Sequence, residues 1–270
     1  MTKIAFSSDN HFDINKQDLP AVIAAQTEFL LTNAIEQYYI GGDLFNDFLK
    51  STAFVEQLQA QLGHHTTVYF IAGNHDMGRH VTFAELENNP NPHYIHNQIV
   101  PINDHWQVIA NNGWYDYSFA SGPRKEDVAV FKRGLYFDRV IQQPMSDLER
   151  TDLSLHQIET ALAKATKKTI ILQHFAPIGD DLAYPADDPR WLMINGVMGS
   201  KRYGELFKQY PVIKKVIYGH THFTVPVRVK DAITYQNVSV GYNHHRLTEW
   251  TADTFIQSWI NKLSIMVLTD

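Results

Sequence analysis

Histidine, aspartate and asparagine recur along this chain in short groups, each directly behind a run of apolar residues. Lys3–Ser8 is followed by Asp9-Asn10-His11, and Tyr38–Ile40 by Gly41-Gly42-Asp43-Leu44-Phe45-Asn46. Thr67–Ala72 leads into Gly73-Asn74-His75-Asp76, Thr169–Leu172 into Gln173-His174, and Lys215–Tyr218 into Gly219-His220-Thr221-His222. Imidazole, carboxylate and amide are donors for divalent metals. The 270 residues include 14 histidines and no cysteine, which excludes disulfides, thiolate metal sites, Fe–S clusters and a cysteine nucleophile. Any one fragment is weak evidence, since Asp-x-His recurs by chance and a lone histidine is usually a surface or core residue. Together they are not. Two aspartates, one asparagine and five histidines at one desolvated edge need countercharge, and divalent cations supply it.

For these groups to meet, the apolar runs must be strands whose carboxyl ends share one edge of a parallel sheet, where α/β proteins bind ligands. If the strands stay extended past their ends, Asp9 and His11 point to one side, as do His220 and His222. Glycines precede Asp43, Asn74 and His220, where a chain turning beside an ion gains from lacking a Cβ. Between the strands, Leu19, Val22, Ile23, Leu30 and Ile35 mark one amphipathic helix, and Phe54, Leu58 and Leu62 another. Asn112-Gly113 between Trp106–Ala110 and Trp114–Phe119 predicts a hairpin. A helix is predicted over about Ser154–Ala165 with a Ser154/Gln157 capping box. Val225–Val229 with Ile233–Val238 reads as a late hairpin, and Ser264–Leu268 as a final strand. The alternation is that of an α/β fold.

In their order and spacing these residues resemble the calcineurin-like metallophosphoesterase superfamily, whose signature runs Asp-x-His, Gly-Asp-x-x-Asp, Gly-Asn-His-Asp/Glu, His, Gly-His-x-His. The resemblance spans residues 9 to 222. It implies a four-layer α/β/β/α sandwich with a two-metal centre at the strand ends. By that resemblance the first ion takes Asp9, His11 and His222, and the second takes Asn74, His174 and His220, with Asp43 bridging. The family uses Mn, Fe or Zn, and sometimes Ni or Co. Two adjacent cations stabilise the attacking and leaving oxygens of an in-line displacement and lower the pKa of a bridging water, giving hydroxide near neutral pH. His75 is implied to be a substrate-facing general acid or charge stabiliser. The family often has aspartate three residues after the bridging one; here Asn46 stands there, with Asp47 next. Asn46 is expected to orient His75, with Asp47 as the alternative.

Residues 1–270 read as one domain, with excursions at about 121–147 and 177–200 expected to form loops over the site. Arg79, His80, Arg124, Lys125, Lys132 and Arg133 are candidate substrate contacts, as are Tyr184, Trp191 and Lys201-Arg202 at a helix start. No role follows for His64-His65 or His244-His245. With 23 Lys+Arg against 29 Asp+Glu, the chain lacks a broad cationic surface for nucleic acid. The long apolar stretch Leu19–Ile35 is interrupted by Gln26, Glu28 and Asn33, so no membrane span is expected, and a cytoplasmic protein is. Hydrolysis of a small phosphomonoester or phosphodiester is therefore expected. The competing readings are a nuclease and a non-catalytic scaffold on the same fold. A serine hydrolase has no support, because no Gly-x-Ser-x-Gly follows a strand.

Overall fold

The computed structural model describes residues 1–122, 124–182, 188–243 and 249–269. Strands β1 (Thr2–Ser7), β2 (Gln37–Ile40) and β3 (Thr67–Phe70) are parallel neighbours, joined through α1 (Leu19–Thr32) and α2 (Phe48–Leu62). α3 (Phe83–Glu87) and β4 (Gln98–Pro101) lead into β5 (Trp106–Asn111), followed by α4 (Lys125–Leu135) and α5 (Asp147–Leu162). The chain continues through β6 (Lys168–Gln173), α6 (Pro189–Gly196), α7 (Lys201–Phe207) and β7 (Ile213–Tyr218). It closes with β8 (Arg228–Lys230), β9 (Ile233–Asn237), α8 (Phe255–Lys262) and β10 (Ser264–Leu268). One sheet has the order β10-β1-β2-β3, with β10 antiparallel to β1; the other has β4-β5-β6-β7-β9-β8, with β5, β6, β7 and β9 parallel.

The period-two pattern of the strands sets the layers. Ile4, Phe6 and Tyr39 of the smaller sheet meet Val108, Ala110, Ile170, Leu172 and Ile217 of the larger one in a shared core. Their neighbours point outward: Ala5 and Tyr38 pack among Val22, Leu30, Phe54, Leu58 and Trp259, and Ile171 and Val216 among Ile158, Leu162, Tyr203 and Phe207. Helices thus cover both outer faces, a four-layer α/β/β/α sandwich. No described helix is long and apolar enough to cross a membrane.

Two sequence expectations are corrected. Asn112-Gly113 does turn, with Gly113 at φ 72°, but it makes no hairpin: β5 already has β4 on one edge and β6 on the other. The chain instead leaves the sheet, burying Trp114, Tyr115 and Tyr117. The helix expected from Ser154 begins a full two turns earlier, where Ser146 and Glu149 form the capping box. Ser154 and Gln157 face inward and hydrogen-bond Asn111 at 2.8 Å each. The late hairpin is present in shorter form as β8 and β9.

Candidate metal centre

The two sheets touch where β1 and β9 end. Ser8 N–H donates to Val238 O (3.1 Å), Val240 N–H to Ser8 O (2.9 Å) and Gly241 N–H to Asp9 O (2.9 Å). Around this seam the polar groups after β1, β2, β3, β6 and β7 converge. The chain does not run straight into the site, as extended strands would require. Asp9, His11, Asp43, His220 and His222 all lie in the left-handed region, at φ 58°, 45°, 57°, 68° and 57°. Such a conformation is costly for residues with a Cβ and persists where surrounding structure over-determines it. Each of these turns folds the chain back so that its side chain points into the gap between sheets.

Asp76 holds the β2 turn in place. Its buried carboxylate accepts from the N–H groups of Asp43 (2.6 Å), Leu44 (3.0 Å), Phe45 (3.3 Å) and Gly73 (2.9 Å), and from Ser51 Oγ (2.5 Å). Close approach needs glycine at position 73: a Cβ there would lie 2.1 Å from Asp43 Oδ1 and 2.5 Å from His174 Cε1.

Among the described residues, Asp9, His11, Asp43 and His222 form one buried group able to hold a cation, and Asp43, His174 and His220 form a second. His11 Nε2 stands 3.0 Å from His222 Nε2, which is itself 3.0 Å from Asp9 Oδ1. His174 Nε2 lies 3.3 Å from Asp43 Oδ2 and 3.2 Å from Asn74 Oδ1. Asp43 Oδ1 accepts the His75 N–H (2.8 Å), while its buried Oδ2 faces His174 Nε2 and, at 3.7 Å, His11 Nε2. The far nitrogens are anchored: His174 Nδ1 bonds Gly41 O (2.8 Å) and His222 Nδ1 bonds Glu249 (2.8 Å). His220 Nε2 faces Val197 O at 3.2 Å, which leaves Nδ1 as the nitrogen that could bind an ion. Outer hydrogen bonds of this kind fix the tautomer of metal-binding histidines.

Burial opposes charge on His174 and His222, yet the neighbouring carboxylates override it at both. Asp43 raises His174 to about 9, and Asp9 with Glu249 raises His222 to about 10. Burial would raise Asp9 as well, but His11, His174 and His222 hold it well below the usual carboxylate range, and His174 does the same for Asp43. Burial pushes His75 and His220 down to about 3. The potential that draws protons onto His174 and His222 is equally attractive to a divalent cation. The buried Asp43 oxygen between His11 and His174 and the all-N/O donor set fit such an ion.

His75 stands beside this cluster. Its Nδ1 donates to Asn46 Oδ1 (2.5 Å), Phe137 stacks on the ring at 4.0 Å, and the Tyr242 hydroxyl lies 3.3 Å from Nε2. Asp47, the alternative partner, caps α2 through Leu49 and Lys50 and bonds His80 (2.7 Å). Other candidate contacts are engaged elsewhere: Arg202 with Asp152, Arg124 with Asp127, Lys132 with Asp147. Tyr184 and His244-His245 lie outside the described residues. Sequence reasoning missed Glu249, Tyr242 and Asp138. Gly241-Tyr242, just beyond β9, fits the same strand-end rule and could have been found; Asp138 and Glu249 carry no local signal.

The profile of the calcineurin-like phosphoesterase family matches residues 2–223, and the chain belongs to that family of metal-dependent hydrolases. Comparison with curated proteins gives no match. Among solved structures, a dimetal phosphatase from Danio rerio is similar at 10% identity and TM-score 0.55, covering 87% of this chain and 86% of that one. The protein TT1561 of Thermus thermophilus is similar at 12% identity and TM-score 0.53, covering 87% of each chain. These likenesses concern the fold.

Proposed function

We propose that the protein hydrolyses a small phosphomonoester or phosphodiester, using two divalent ions seated between the sheets. Asp9, His11 and His222 would hold the first ion and Asn74, His174 and His220 the second, with Asp43 shared. The observation that carries this reading is that both donor groups include Asp43, whose buried Oδ2 lies between His11 and His174, one imidazole from each group. Mn, Fe and Zn all suit this mixture of imidazole, carboxylate and amide. When bound, the ion pair supplies Lewis-acid polarisation of the phosphoryl group and an activated water.

The chain's own side chains do the rest. Asn46 accepts from His75 Nδ1 and so turns Nε2 toward the pocket, where the Tyr242 hydroxyl meets it. His75 Nε2 is thereby aimed at the leaving oxygen; with Nδ1–H held by Asn46, it gives a proton there only after Nε2 takes one up, which the negative charge of a bound phosphoryl group favours. Phe137, stacked on the same ring, stops it from rotating away.

A Mn²⁺-supplemented screen of p-nitrophenyl phosphate, its bis-ester, nucleotides and labelled DNA tests the reading. Turnover of a small ester, abolished by chelation and lowered roughly 10²–10⁴-fold in His75→Ala, is expected. Cleavage of DNA alone would make the protein a nuclease. Failure on every substrate by metal-loaded protein would leave a scaffold.

A further inference from the structure

Three consecutive residues just beyond α4 each meet a different residue of the site. The Tyr136 hydroxyl lies 3.5 Å from His220 Nε2, Phe137 stacks on His75, and Asp138 accepts from Asn74 Nδ2 at 2.7 Å. Asp138 is wholly buried, and its second oxygen accepts the Tyr115 hydroxyl, also at 2.7 Å. Lys132 of α4 bonds Asp147 at 2.5 Å and ties this stretch to the start of α5.

An asparagine amide has two ends of almost equal size, and only its hydrogen-bond partners decide which end points where. One end accepts and suits a cation; the other presents hydrogens and repels one. In this protein Nδ2 points at Asp138, so Oδ1 points at the centre, 3.2 Å from His174 Nε2. A carboxylate is the side chain best fitted to enforce that choice. It can only accept, and both its oxygens are filled by donors.

We propose that Asp138 is a positioning residue that selects the ligating orientation of Asn74 and thereby governs retention of the second ion. This rests on the ligand assignment proposed above. An amide at position 138 keeps the shape but adds hydrogens, which must face either Tyr115 or Asn74. Asn74 can then flip and turn its NH₂ toward the ion.

Calorimetric titration of the chelator-treated protein with Mn²⁺ tests this. Wild type is expected to bind two ions. Asp138→Asn is expected to keep the first ion unchanged and to weaken the second about 10–100-fold, the usual cost of losing an outer-shell partner. The double variant Asn74→Asp/Asp138→Asn exchanges the pair. The new amide then donates to the new carboxylate and still accepts from Tyr115, so the second ion should be regained, which a merely structural role for Asp138 would not produce. Two ions with unchanged affinity in Asp138→Asn, or an exchange variant that stays deficient, would overturn the role of Asp138 alone. Wild type that takes up no ion would overturn the ligand assignment and this proposal with it. If Asp138→Asn does not fold, the wild-type Asn74 side-chain amide decides by NMR. Slow proton exchange supports the bond to Asp138, and exchange as fast as that of the exposed Asn261 amide overturns it.

Discussion

Asn46 and Asp47 are adjacent, yet one faces His75 and the other caps a helix and bonds His80. Their substitutions should therefore separate cleanly. Asn46→Ala is expected to lower kcat by about tenfold or more, short of the roughly 10²–10⁴-fold that removing an acid–base group costs. Asp47→Ala should leave kcat within about twofold and cost about 1 kcal/mol of stability through the lost cap. Steady-state kinetics with thermal melts on both variants checks this, and the reversed pattern would contradict it. At this scale the sequence was informative wherever a site residue follows its strand within a few positions, as Asp9, Asp43, Asn74, His174 and His220 do. Asp138 and Glu249 reach the site from a 3₁₀ turn and from the loop beyond β9. Nothing in their neighbours' types announces that arrival.

Turns between elements carry much of the site's precision. The left-handed conformations at Asp9, His11, Asp43, His220 and His222 could not be read from an Asp-x-His pattern, because the extended alternative also brings both side chains to one face. The hairpin expected at Asn112-Gly113 failed for a related reason: local turn chemistry was right, but one edge of β5 was already taken by β4, just before it, and the other by β6, distant in sequence. Gly73→Ala probes the turn after β3. Its Cβ would sit 2.1 Å from Asp43 Oδ1, so metal retained after dialysis should fall below one ion per chain while the circular dichroism stays native. A variant that keeps its full complement would contradict the close approach. Away from the site, Asp147 gathers Lys132, Trp114, Gln143 and Tyr117 around the start of α5. Burial works to raise this carboxyl, but Lys132 and the hydrogen bonds from Tyr117 and Trp114 hold it below the usual range. With its folded pKa depressed, its contribution is full above the unfolded value of about 3.9 and fades as pH falls through the folded value. Asp147→Ala should cost about 3–5 kcal/mol near pH 7 by urea unfolding, since it leaves Lys132 buried and unpaired. The difference from wild type should shrink below about pH 4. A deficit that instead persists unchanged in acid would contradict this account.

The whole molecule is a clamp of two sheets whose polar ends meet at one seam. The sandwich was readable because apolar runs, helical periods and strand-end polar groups agreed with one another; α3, β4 and α8 were not, being short or weakly patterned. An ion held at the seam binds the folded chain and not the unfolded one. Added Mn²⁺ should therefore raise the melting temperature, by the equivalent of about 2.7 kcal/mol at a hundredfold excess over its Kd, and chelation should reverse the gain. Stability indifferent to both treatments would argue against ions bridging the sheets. The most direct test is the metal content of the purified, Mn²⁺-equilibrated protein after removal of free ions, read by plasma mass spectrometry against protein concentration. The proposed sharing of Asp43 between two sites predicts about two ions per chain. A ratio that saturates at one or at none would contradict it.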